Sequence, residues 1–347
     1  MRTVTMILAL TAIFSLTAQP ASSTKAFAGE PKPITIVTST AAVVGSSLHL
    51  MQQCIDEVFN EKGRGWFKFE HFNSSALFKQ DAEYGAVLNG DVDISFISPS
   101  WYFDNGMAWF SMFEAGYIFD DFDHMLAVFD YKNDIGRGVS DRVLKETNGG
   151  IKILGACALG TRTLWLRSRN MIINTPADMA PIKLRMPNTA ATLLLGRSLG
   201  ARPTPLDGNE TYLALQTGAV DGQENAFMPA YNAKFQEVCE TICRTDHLCA
   251  GNTVALHAGT WNKMTPEQQE LFAGLMAEAA ALQVNRLVVE EKRIAEELES
   301  KGMLMQHPDR NVFRKHVQEF YMNDPISDSW DMILYERIKA MGNAGAK

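Results

Sequence analysis

The chain has 347 residues, a formal net charge of −8 at pH 7 and 21% charged residues. This length exceeds what one compact core comfortably holds and predicts two lobes. The acidic balance argues against a nucleic-acid-binding protein, since such proteins carry basic surfaces. The sequence has no HExxH, GxSxG, Walker or dinucleotide-binding glycine motif, so it predicts neither an enzyme nor a cofactor.

The first 28 residues have the pattern of a secretory signal peptide. Arg2 precedes an apolar run over residues 4–18, and the small-x-small sequence Ala26-Phe27-Ala28 predicts cleavage before Gly29. The run is short for a membrane span, no lipobox-like cysteine follows it, and no later segment is predicted to cross a bilayer. We therefore expect an exported protein without a stable membrane anchor.

The mature chain begins with a βαβαβ pattern. In chain order, the pattern predicts a strand at 34–37, a helix at 46–60, a strand at 67–70, a helix at 81–88 and a strand at 91–96. The second helix ends on Asn89-Gly90 and passes directly into the Val92-Asp93 strand start, which is typical of a glycine C-cap. Ser98, Ser100 and Trp101 follow the last strand, where a ligand cleft would lie.

A second βαβαβ pattern begins at residue 182. It predicts a strand at 182–186, a helix to Gly200, a strand near 202–206, a helix to Thr217 and a strand at 220–224. The glycine C-cap followed by Val-Asp recurs at Gly218 to Asp221, although this punctuation is common in α/β proteins. Two similar lobes that face each other predict a bilobal binding protein with its ligand in the cleft.

The last third of the sequence is predicted to be helical. Thr265, Pro266 and Gln268 form an N-terminal capping pattern for a helix that continues to about Ser300. Such a helix is roughly 50 Å long, which exceeds the length of one lobe. A coiled-coil dimer arm is the alternative, but Ala279–Ala281 and the scattered apolar positions fit heptads poorly.

Arg185 is the strongest candidate for a ligand-binding residue. Ile182, Leu184 and Met186 alternate with Lys183 and Arg185, which is the pattern of a half-buried strand. Pro187 ends that strand, and Asn188 is a predicted N-cap of the next helix. A guanidinium on a rigid strand beside a helix N-terminus is a receptor for a carboxylate.

The same region resembles the solute-binding proteins of tripartite ATP-independent periplasmic (TRAP) transporters, in particular their dicarboxylate- and sugar-acid-binding branch. The resemblance is carried by Lys183-Leu184-Arg185-Met186-Pro187-Asn188, by Pro203-Thr204-Pro205, by Glu210 to Gly218 and by Val220-Asp221-Gly222-Gln223-Glu224-Asn225. It implies a bilobal periplasmic-binding-protein fold with a hinge and a long helix along both lobes. It also implies a periplasmic receptor, here expected to be a monomer, that delivers a small organic acid to TRAP membrane subunits.

Domain boundaries follow from this architecture. We expect a signal peptide at 1–28, a first lobe at 29–160 completed by about 251–290, and a second lobe at 161–250 completed by about 291–347.

The resemblance also implies the site residues. Arg185 matches the family arginine that pairs with the ligand carboxylate, Arg162 matches a second arginine, and Asn225 matches an amide that contacts polar groups of the ligand. Arg167 and Arg169 compete with Arg162 for its role, and Asn188 is either a ligand contact or only a helix cap.

The loop after residue 97 bears on the ligand. In sugar-acid binders of the family this loop carries charged residues, whereas here Ser98, Ser100 and Trp101 stand in an aromatic neighbourhood. We therefore expect a monocarboxylate with an apolar or aromatic body. A C4-dicarboxylate or sugar acid is the alternative, as is a receptor for an ABC importer. Gly208 stands where sialic-acid binders carry a bulky aromatic residue, which disfavours that ligand.

Five cysteines complete the sequence analysis. Cys239, Cys243, His247 and Cys249 are close enough in sequence to suggest zinc, but an oxidising compartment favours a disulfide, with Cys243–Cys249 the preferred pair. We expect no metal. An aspartate-rich turn with Asp121, Asp123 and His124 is more typical of a helix start than of a metal site.

Overall fold

The computed structural model describes residues 32–345, so the predicted signal peptide at 1–28 lies outside the described residues. The strands are β1 (Ile34–Ser39), β2 (Phe67–Phe72), β3 (Ile94–Ile97), β4 (Ile151–Leu166), β5 (Lys183–Met186), β6 (Arg202–Pro205), β7 (Gly222–Asn225), β8 (Thr241–His257) and β9 (Leu304–Gln306). The α-helices are α1 (Ser47–Lys62), α2 (Glu83–Asn89), α3 (Pro99–Asp104), α4 (Phe122–Phe129), α5 (Asp134–Glu146), α6 (Ala190–Ser198), α7 (Thr211–Thr217), α8 (Phe227–Asn232), α9 (Ala258–Trp261), α10 (Pro266–Ser300), α11 (Arg310–Met322) and α12 (Met332–Gly345).

The strands form one mixed sheet in the order β2-β1-β3-β8-β4-β7-β5-β6, with β9 paired to β8. β1 pairs in parallel with both β2 and β3, and β5 pairs in parallel with both β6 and β7. The two predicted βαβαβ units therefore have the same internal strand order, and the predicted bilobal α/β fold is confirmed. We call the part built around β1–β3 the first lobe and the part built around β5–β7 the second lobe.

Two long antiparallel strands, β4 and β8, join the lobes, and the sequence analysis did not predict them. They pair from Ile151 opposite His257 to Leu166 opposite Thr241. β3 adds to one end of this pair and β7 to the other. Their register shifts at three points, namely between Ile153 and Gly155, between Ala158 and Gly160, and between Arg162 and Leu164. Such bulges bend a strand and re-aim its side chains.

The register shift between Ala158 and Gly160 requires a glycine at position 160. Its φ is +134°, which is disfavoured for residues with a Cβ atom. An added Cβ would also lie 2.5 Å from Oε1 of Glu291 and 2.6 Å from Cβ of Ala226. Backbone freedom and lack of space both select glycine at the point where β4 passes from one lobe to the other.

The long helix α10 spans both lobes, as predicted. It begins with the predicted capping box, in which Thr265 and Gln268 bond each other's backbone N–H groups. It packs on α1 in the first lobe and on α8 in the second. It also bonds the backbone of β4 on both sides of the register shift, since the Gln283 amide bonds Ala158 N and O at 3.0 and 2.7 Å and Glu291 Oε1 accepts Thr161 N–H at 2.9 Å.

By length and composition alone, α10 could cross a membrane, contrary to the expectation that no segment after the signal peptide could do so. Half of its most apolar 18-residue window is buried inside the protein, however. The apolar face of α10 packs into the core of the protein, where Phe272 and Met276 lie in one buried cluster with Ile36 and Phe59 of the first lobe.

The aromatic residues after β3 are mostly core. Tyr102, Trp109, Phe110 and Phe113 are each at most 3% exposed, and the other three rings all pack against Phe110. Trp101 remains partly exposed. The local sequence is therefore aromatic mainly because it fills the first lobe.

All five cysteines are free and buried, so the expected disulfide is wrong. Cys243 and Cys249 both lie on β8, opposite Leu164 and Thr161 of β4. Three residues of strand separate these partners, which places the two cysteine Cα atoms roughly 10 Å apart. A disulfide cannot bridge more than about 7 Å between Cα atoms.

We expect five reactive thiols per chain when the oxidised protein is unfolded in guanidinium without reductant and titrated with Ellman's reagent. In the native protein the reaction should be slow, because burial raises the pKa of Cys157, Cys239, Cys243 and Cys249 to about 12 and the thiolate is the reactive form. A reduced sample is the control. Two fewer thiols in the oxidised sample than in the reduced one would show that a disulfide forms.

Candidate functional site

A cavity of about 460 Å³ lies between the two lobes. Its lining residues come from the loop after β3, from the middle of β4 and β8, and from the start of α6. They are Leu48, Gln80, Ser98, Pro99, Ser100, Trp101, Asp104, Phe113, Glu114, Leu159, Arg162, Pro187, Thr189, Thr192, Leu195, Glu224, Leu248, Ala250, Gly251 and Asn252. Of the predicted site residues, Arg162, Trp101, Ser98 and Ser100 line the cavity, whereas Arg185, Asn188 and Asn225 are not among its lining residues.

The predicted serines hold a carboxylate that the sequence analysis missed. The Ser98 hydroxyl donates to Oε1 of Glu114 at 2.9 Å, and the backbone N–H of Ser100 donates to the same oxygen at 3.2 Å. Burial raises the pKa of Glu114, and the Ser98 hydrogen bond and the charge of Arg162 offset this only in part. The first-lobe side of the cavity therefore carries an acidic group. The sequence analysis expected only serines and aromatic residues there.

Arg162 is bound to Glu224 through two parallel hydrogen bonds. The Nε–Oε2 and Nη2–Oε1 distances are both 2.5 Å, and Nη2 also donates to the Glu224 carbonyl at 3.2 Å. These residues meet because β4 and β7 are neighbours in the sheet, with Leu164 opposite Glu224. The sequence analysis named Arg162 but gave no role to Glu224, although the Gln-Glu-Asn motif contains it.

His247 completes this arrangement from β8. Its Nε2 lies 3.4 Å from Oε2 of Glu224, and its Nδ1 lies 2.9 Å from the Thr245 hydroxyl. Leu164 of β4 lies opposite Cys243 of β8, and Arg162 lies opposite Leu248. Between these two pairs β8 advances by five residues and β4 by only two, so β8 bulges. The bulge brings His247, which had been considered as a zinc ligand, to Glu224 instead. No cluster of three or more metal-ligating side chains occurs within residues 32–345.

The Arg162–Glu224 pair is ionised and close to neutral as a unit. Burial acts to raise the pKa of Glu224, but the charge of Arg162 and the hydrogen bond from His247 outweigh it and hold that pKa below its ordinary value. The Glu224 side chain is 1% exposed and that of Arg162 is 19% exposed. A buried ion pair of this kind is stable only while both partners are present.

Arg185 has the opposite character. It is 6% exposed, and its Nε donates to the Leu206 carbonyl at 2.9 Å, yet no carboxylate within residues 32–345 lies at ion-pair distance from it. Burial lowers the pKa of Arg185 below its ordinary value, and Arg162 adds to this while Glu224 and Asp207 oppose it. Gly208 adjoins it, since a Cβ there would lie 3.9 Å from Nη2 of Arg185. Among the described residues, the second lobe thus holds a buried guanidinium with no carboxylate at ion-pair distance.

The two predicted asparagines are in different surroundings. Asn188 is exposed, and the N-cap of α6 is Thr189, whose hydroxyl accepts the Thr192 N–H at 3.3 Å. The prediction that Asn188 caps this helix is therefore wrong by one residue. Asn225 ends β7 partly buried, and its Oδ1 accepts the Ala226 N–H at 3.0 Å.

Two of the weaker candidates have structural roles. Arg169 is exposed and lies 3.8 Å from Glu240, as expected for a solvated ion pair. Asp121 caps α4 by accepting the His124 N–H at 2.8 Å, which agrees with the helix-start interpretation of this turn.

Comparison with known proteins places this architecture in one family. The family described as bacterial extracellular solute-binding protein, family 7, matches residues 38–324. The chain is 29% identical to the sialic acid-binding periplasmic protein SiaP of Vibrio cholerae over 83% of this chain and 87% of that protein. It is 26% identical to the C4-dicarboxylate-binding periplasmic protein DctP of the same organism, over 71% and 72% respectively.

A solved structure supports the same assignment. The TRAP periplasmic solute-binding protein of Roseobacter denitrificans with bound 3-deoxy-D-manno-oct-2-ulosonic acid is 34% identical, with a TM-score of 0.77. The match covers 89% of this chain and 100% of that one.

Replacing Glu224 with Gln should lower the free energy of unfolding at pH 7 by about 3 kcal/mol, because Arg162 is left buried without its counter-charge. Since Glu224 has a depressed pKa in the folded state, its contribution is present above the ordinary glutamate pKa and is lost as pH falls below it. The difference between wild type and Glu224→Gln should therefore shrink from pH 6 to pH 3 in urea unfolding experiments. Glu57→Gln, which removes a pair that is half exposed, is the control. A difference that stays constant with pH would contradict the assignment.

Proposed function

We infer the ligand and its binding residues from one premise: the chain belongs to family 7 of the bacterial extracellular solute-binding proteins, the periplasmic receptors of TRAP transporters. Members of this family bind small organic acids and work with membrane transporter subunits, so the expected TRAP-type receptor is confirmed over the ABC alternative. The residues that bind the acid, and the chemical class of that acid, are our proposals.

We propose that Arg185 receives the ligand carboxylate. This rests on the observation that its guanidinium is 6% exposed and lacks a carboxylate partner among the described residues. A buried charge without a partner is costly, and a bidentate carboxylate removes that cost while forming charge-assisted hydrogen bonds. A structural arginine would instead resemble Arg162, whose charge is already compensated.

Arg162 has a different proposed role. Because Glu224 occupies Nε and Nη2, only Nη1 is left for a ligand. We propose that Arg162 donates one hydrogen bond and that Glu224 and His247 hold it in place. Asn225 and Asn188 stay candidates for contacts with polar groups of the ligand, reached after the lobes close.

The charges in the cleft favour a ligand with a single carboxylate. Glu114 and Asp104 both line the cavity, and a second carboxylate placed away from Arg185 would approach one of them. Like charges in a partly desolvated cleft repel each other. A monocarboxylate is therefore preferred over the C4-dicarboxylate alternative.

The cavity lining also bears on whether the rest of the ligand is hydroxylated or apolar. Glu114 with its two serines supplies hydrogen-bond acceptors on the first lobe, which supports a hydroxyl-bearing acid of the sugar-acid class. The relatives named for sialic acid and for 3-deoxy-D-manno-oct-2-ulosonic acid support the same class. The monocarboxylate with an apolar or aromatic body stays the second candidate, favoured by Trp101, Leu159 and Leu248 in the lining.

We propose capture by lobe closure as the mechanism. The acid first binds the open second lobe through Arg185, and the first lobe then closes with Trp101 and the Glu114 cluster over the ligand body. The register shift at Gly160, where the chain passes between lobes, supports a hinge at this point. Closure is favoured by whatever affinity the ligand gains in the closed state. The receptor is proposed to act as a monomer.

A thermal-shift screen tests the ligand class. After refolding from guanidinium to remove co-purified ligand, hydroxylated monocarboxylates (3-deoxy-D-manno-oct-2-ulosonic acid, L-galactonate, D-erythronate) should raise Tm more than hexanoate, indole-3-acetate or succinate. The primary amide of the best acid should give no shift, because an amide cannot neutralise Arg185. A shift with indole-3-acetate alone would favour the second candidate, and an equal shift with acid and amide would contradict carboxylate recognition.

Replacing Arg185 with Met should weaken binding of the best acid by roughly 100-fold or more in titration calorimetry, because a desolvated charge pair is lost. The same change should leave the stability of the unliganded protein unchanged or higher, since it removes an unpaired buried charge. Arg202→Met, on the exposed neighbouring strand β6, is the matched control and should bind normally. If Arg185→Met binds the acid as tightly as wild type, or mainly loses stability, then Arg185 is a structural residue.

A further inference from the structure

A second, smaller cavity adjoins the cleft on the first-lobe side. Its volume is about 170 Å³, and we call it the annex. Its lining residues are Thr40, Ala41, Ala42, Leu48, Gln80, Glu83, Phe96, Ser98, Trp101 and Asn252. Half of them also line the main cavity, namely Leu48, Gln80, Ser98, Trp101 and Asn252. A ligand in the cleft can therefore extend into the annex.

Glu83 brings a buried carboxylate to the annex. It lies in the first turn of α2 and is 4% exposed. Its Oε1 is buried and has no hydrogen-bond partner within residues 32–345. Burial raises the pKa of Glu83 to about 7, and the backbone of Ala41 opposes this only in part.

Asn252 brings a second acceptor from β8. It is 8% exposed, and its Nδ2 donates to the Phe96 carbonyl at 2.9 Å. This bond fixes the amide orientation, because a flipped amide would place its oxygen against that carbonyl. Its Oδ1 is therefore the free end, and it is buried without a partner among the described residues.

Unpartnered buried acceptors on two different elements require an explanation. Each costs free energy in the empty protein, and native proteins satisfy nearly all such groups. The annex lining contains no lysine or arginine, so a second ligand carboxylate would be repelled there. What complements this lining is a neutral group with hydrogen-bond donors.

We propose that the annex binds the hydroxyl-bearing far end of the acid, with Glu83 Oε1 and Asn252 Oδ1 accepting hydrogen bonds from its hydroxyl groups. This deepens the proposed function and rests on it. The cleft then has a defined polarity, with the carboxylate held by Arg185 of the second lobe and hydroxyl groups held in the annex of the first. Acids too short to reach from one to the other are bound without the annex.

The test compares acids of different length on matched variants by titration calorimetry. The eight-carbon probe is 3-deoxy-D-manno-oct-2-ulosonic acid and the four-carbon probe is D-erythronate. Glu83→Leu should weaken the eight-carbon acid at least tenfold and leave the four-carbon acid within about twofold, because a lost acceptor affects only a ligand that reaches it. Glu83→Gln, which keeps an acceptor oxygen, should retain the eight-carbon acid within about threefold. Asp81→Leu, an exposed acid two residues earlier, is the control.

The outcomes separate this inference from the proposed function. If Arg185→Met abolishes binding of both acids but Glu83→Leu binds the eight-carbon acid as wild type does, the annex inference is overturned and the proposed function stands. If wild type binds neither acid, both are overturned. Tighter binding of 6-aminohexanoate than of either hydroxylated acid, with loss in Glu83→Gln, would mean that the annex binds an ammonium group. A fall in the Tm of unliganded Glu83→Leu, with unchanged affinities, would assign Glu83 a structural role instead.

Discussion

The antiparallel pairing of β4 with β8 is the constraint on which the rest of the structure depends. Both strands run through both lobes, so the parallel strands of each lobe extend opposite ends of one pair. The cavity lies at the middle of this pair, where Arg162 and Leu248 face each other in the register. Any rotation of one lobe against the other must therefore bend these two strands at the site itself. Ligand contacts and hinge geometry are consequently coupled through the same few residues.

In the proposed binding mode, the two arginines of the second lobe have different roles in recognising an anion. Arg162 is neutralised by Glu224, so it offers direction but little net charge. Arg185 has no carboxylate at ion-pair distance among the described residues, and its burial would strengthen its attraction to a ligand carboxylate because water screens it less. On this proposal, Arg185 distinguishes an acid from its amide, and the neighbouring Arg162–Glu224 pair orients the ligand. Two uncompensated arginines would repel each other and would cost more to hold in the empty protein.

Much of this could be predicted from local sequence, for physical reasons. Period-two alternation identified β5 and its Arg185, glycine C-caps identified the ends of α2 and α7, and the capping box identified the start of α10. The strands β4 and β8 were missed because they are buried on both faces, which removes alternation, and because bulges interrupt what periodicity is left. Asn188 and Thr189 are both good N-caps, and only the contact to Thr192 decides between them.

The acidic groups of the site could not be found by local pattern. Glu114 lies 14 residues after Ser100 in an aromatic run, and its role follows only from the fold that returns it to the serines. An acid inside the segment Trp109 to Glu114, otherwise apolar apart from one serine, was the one available clue, since charged residues in such runs are seldom without a partner. Without Glu114, the first-lobe side of the cavity was expected to be apolar, and a ligand with an apolar body was expected for that reason.

Several polar groups of the cleft raise the free energy of the folded protein as long as no ligand is bound. Within residues 32–345, Arg185 has no carboxylate at ion-pair distance, Glu114 is bonded only by hydroxyl and amide donors, and Glu83 Oε1 and Asn252 Oδ1 have no hydrogen-bond partner. In the proposed binding mode, a ligand removes each of these free-energy costs only if it places the complementary group beside that residue. The ligand must therefore satisfy all of these residues together. A molecule that meets one condition and fails another leaves a desolvated polar group unpaired when the lobes close. On the proposed mechanism, lobe closure as well as first contact at Arg185 selects the acid.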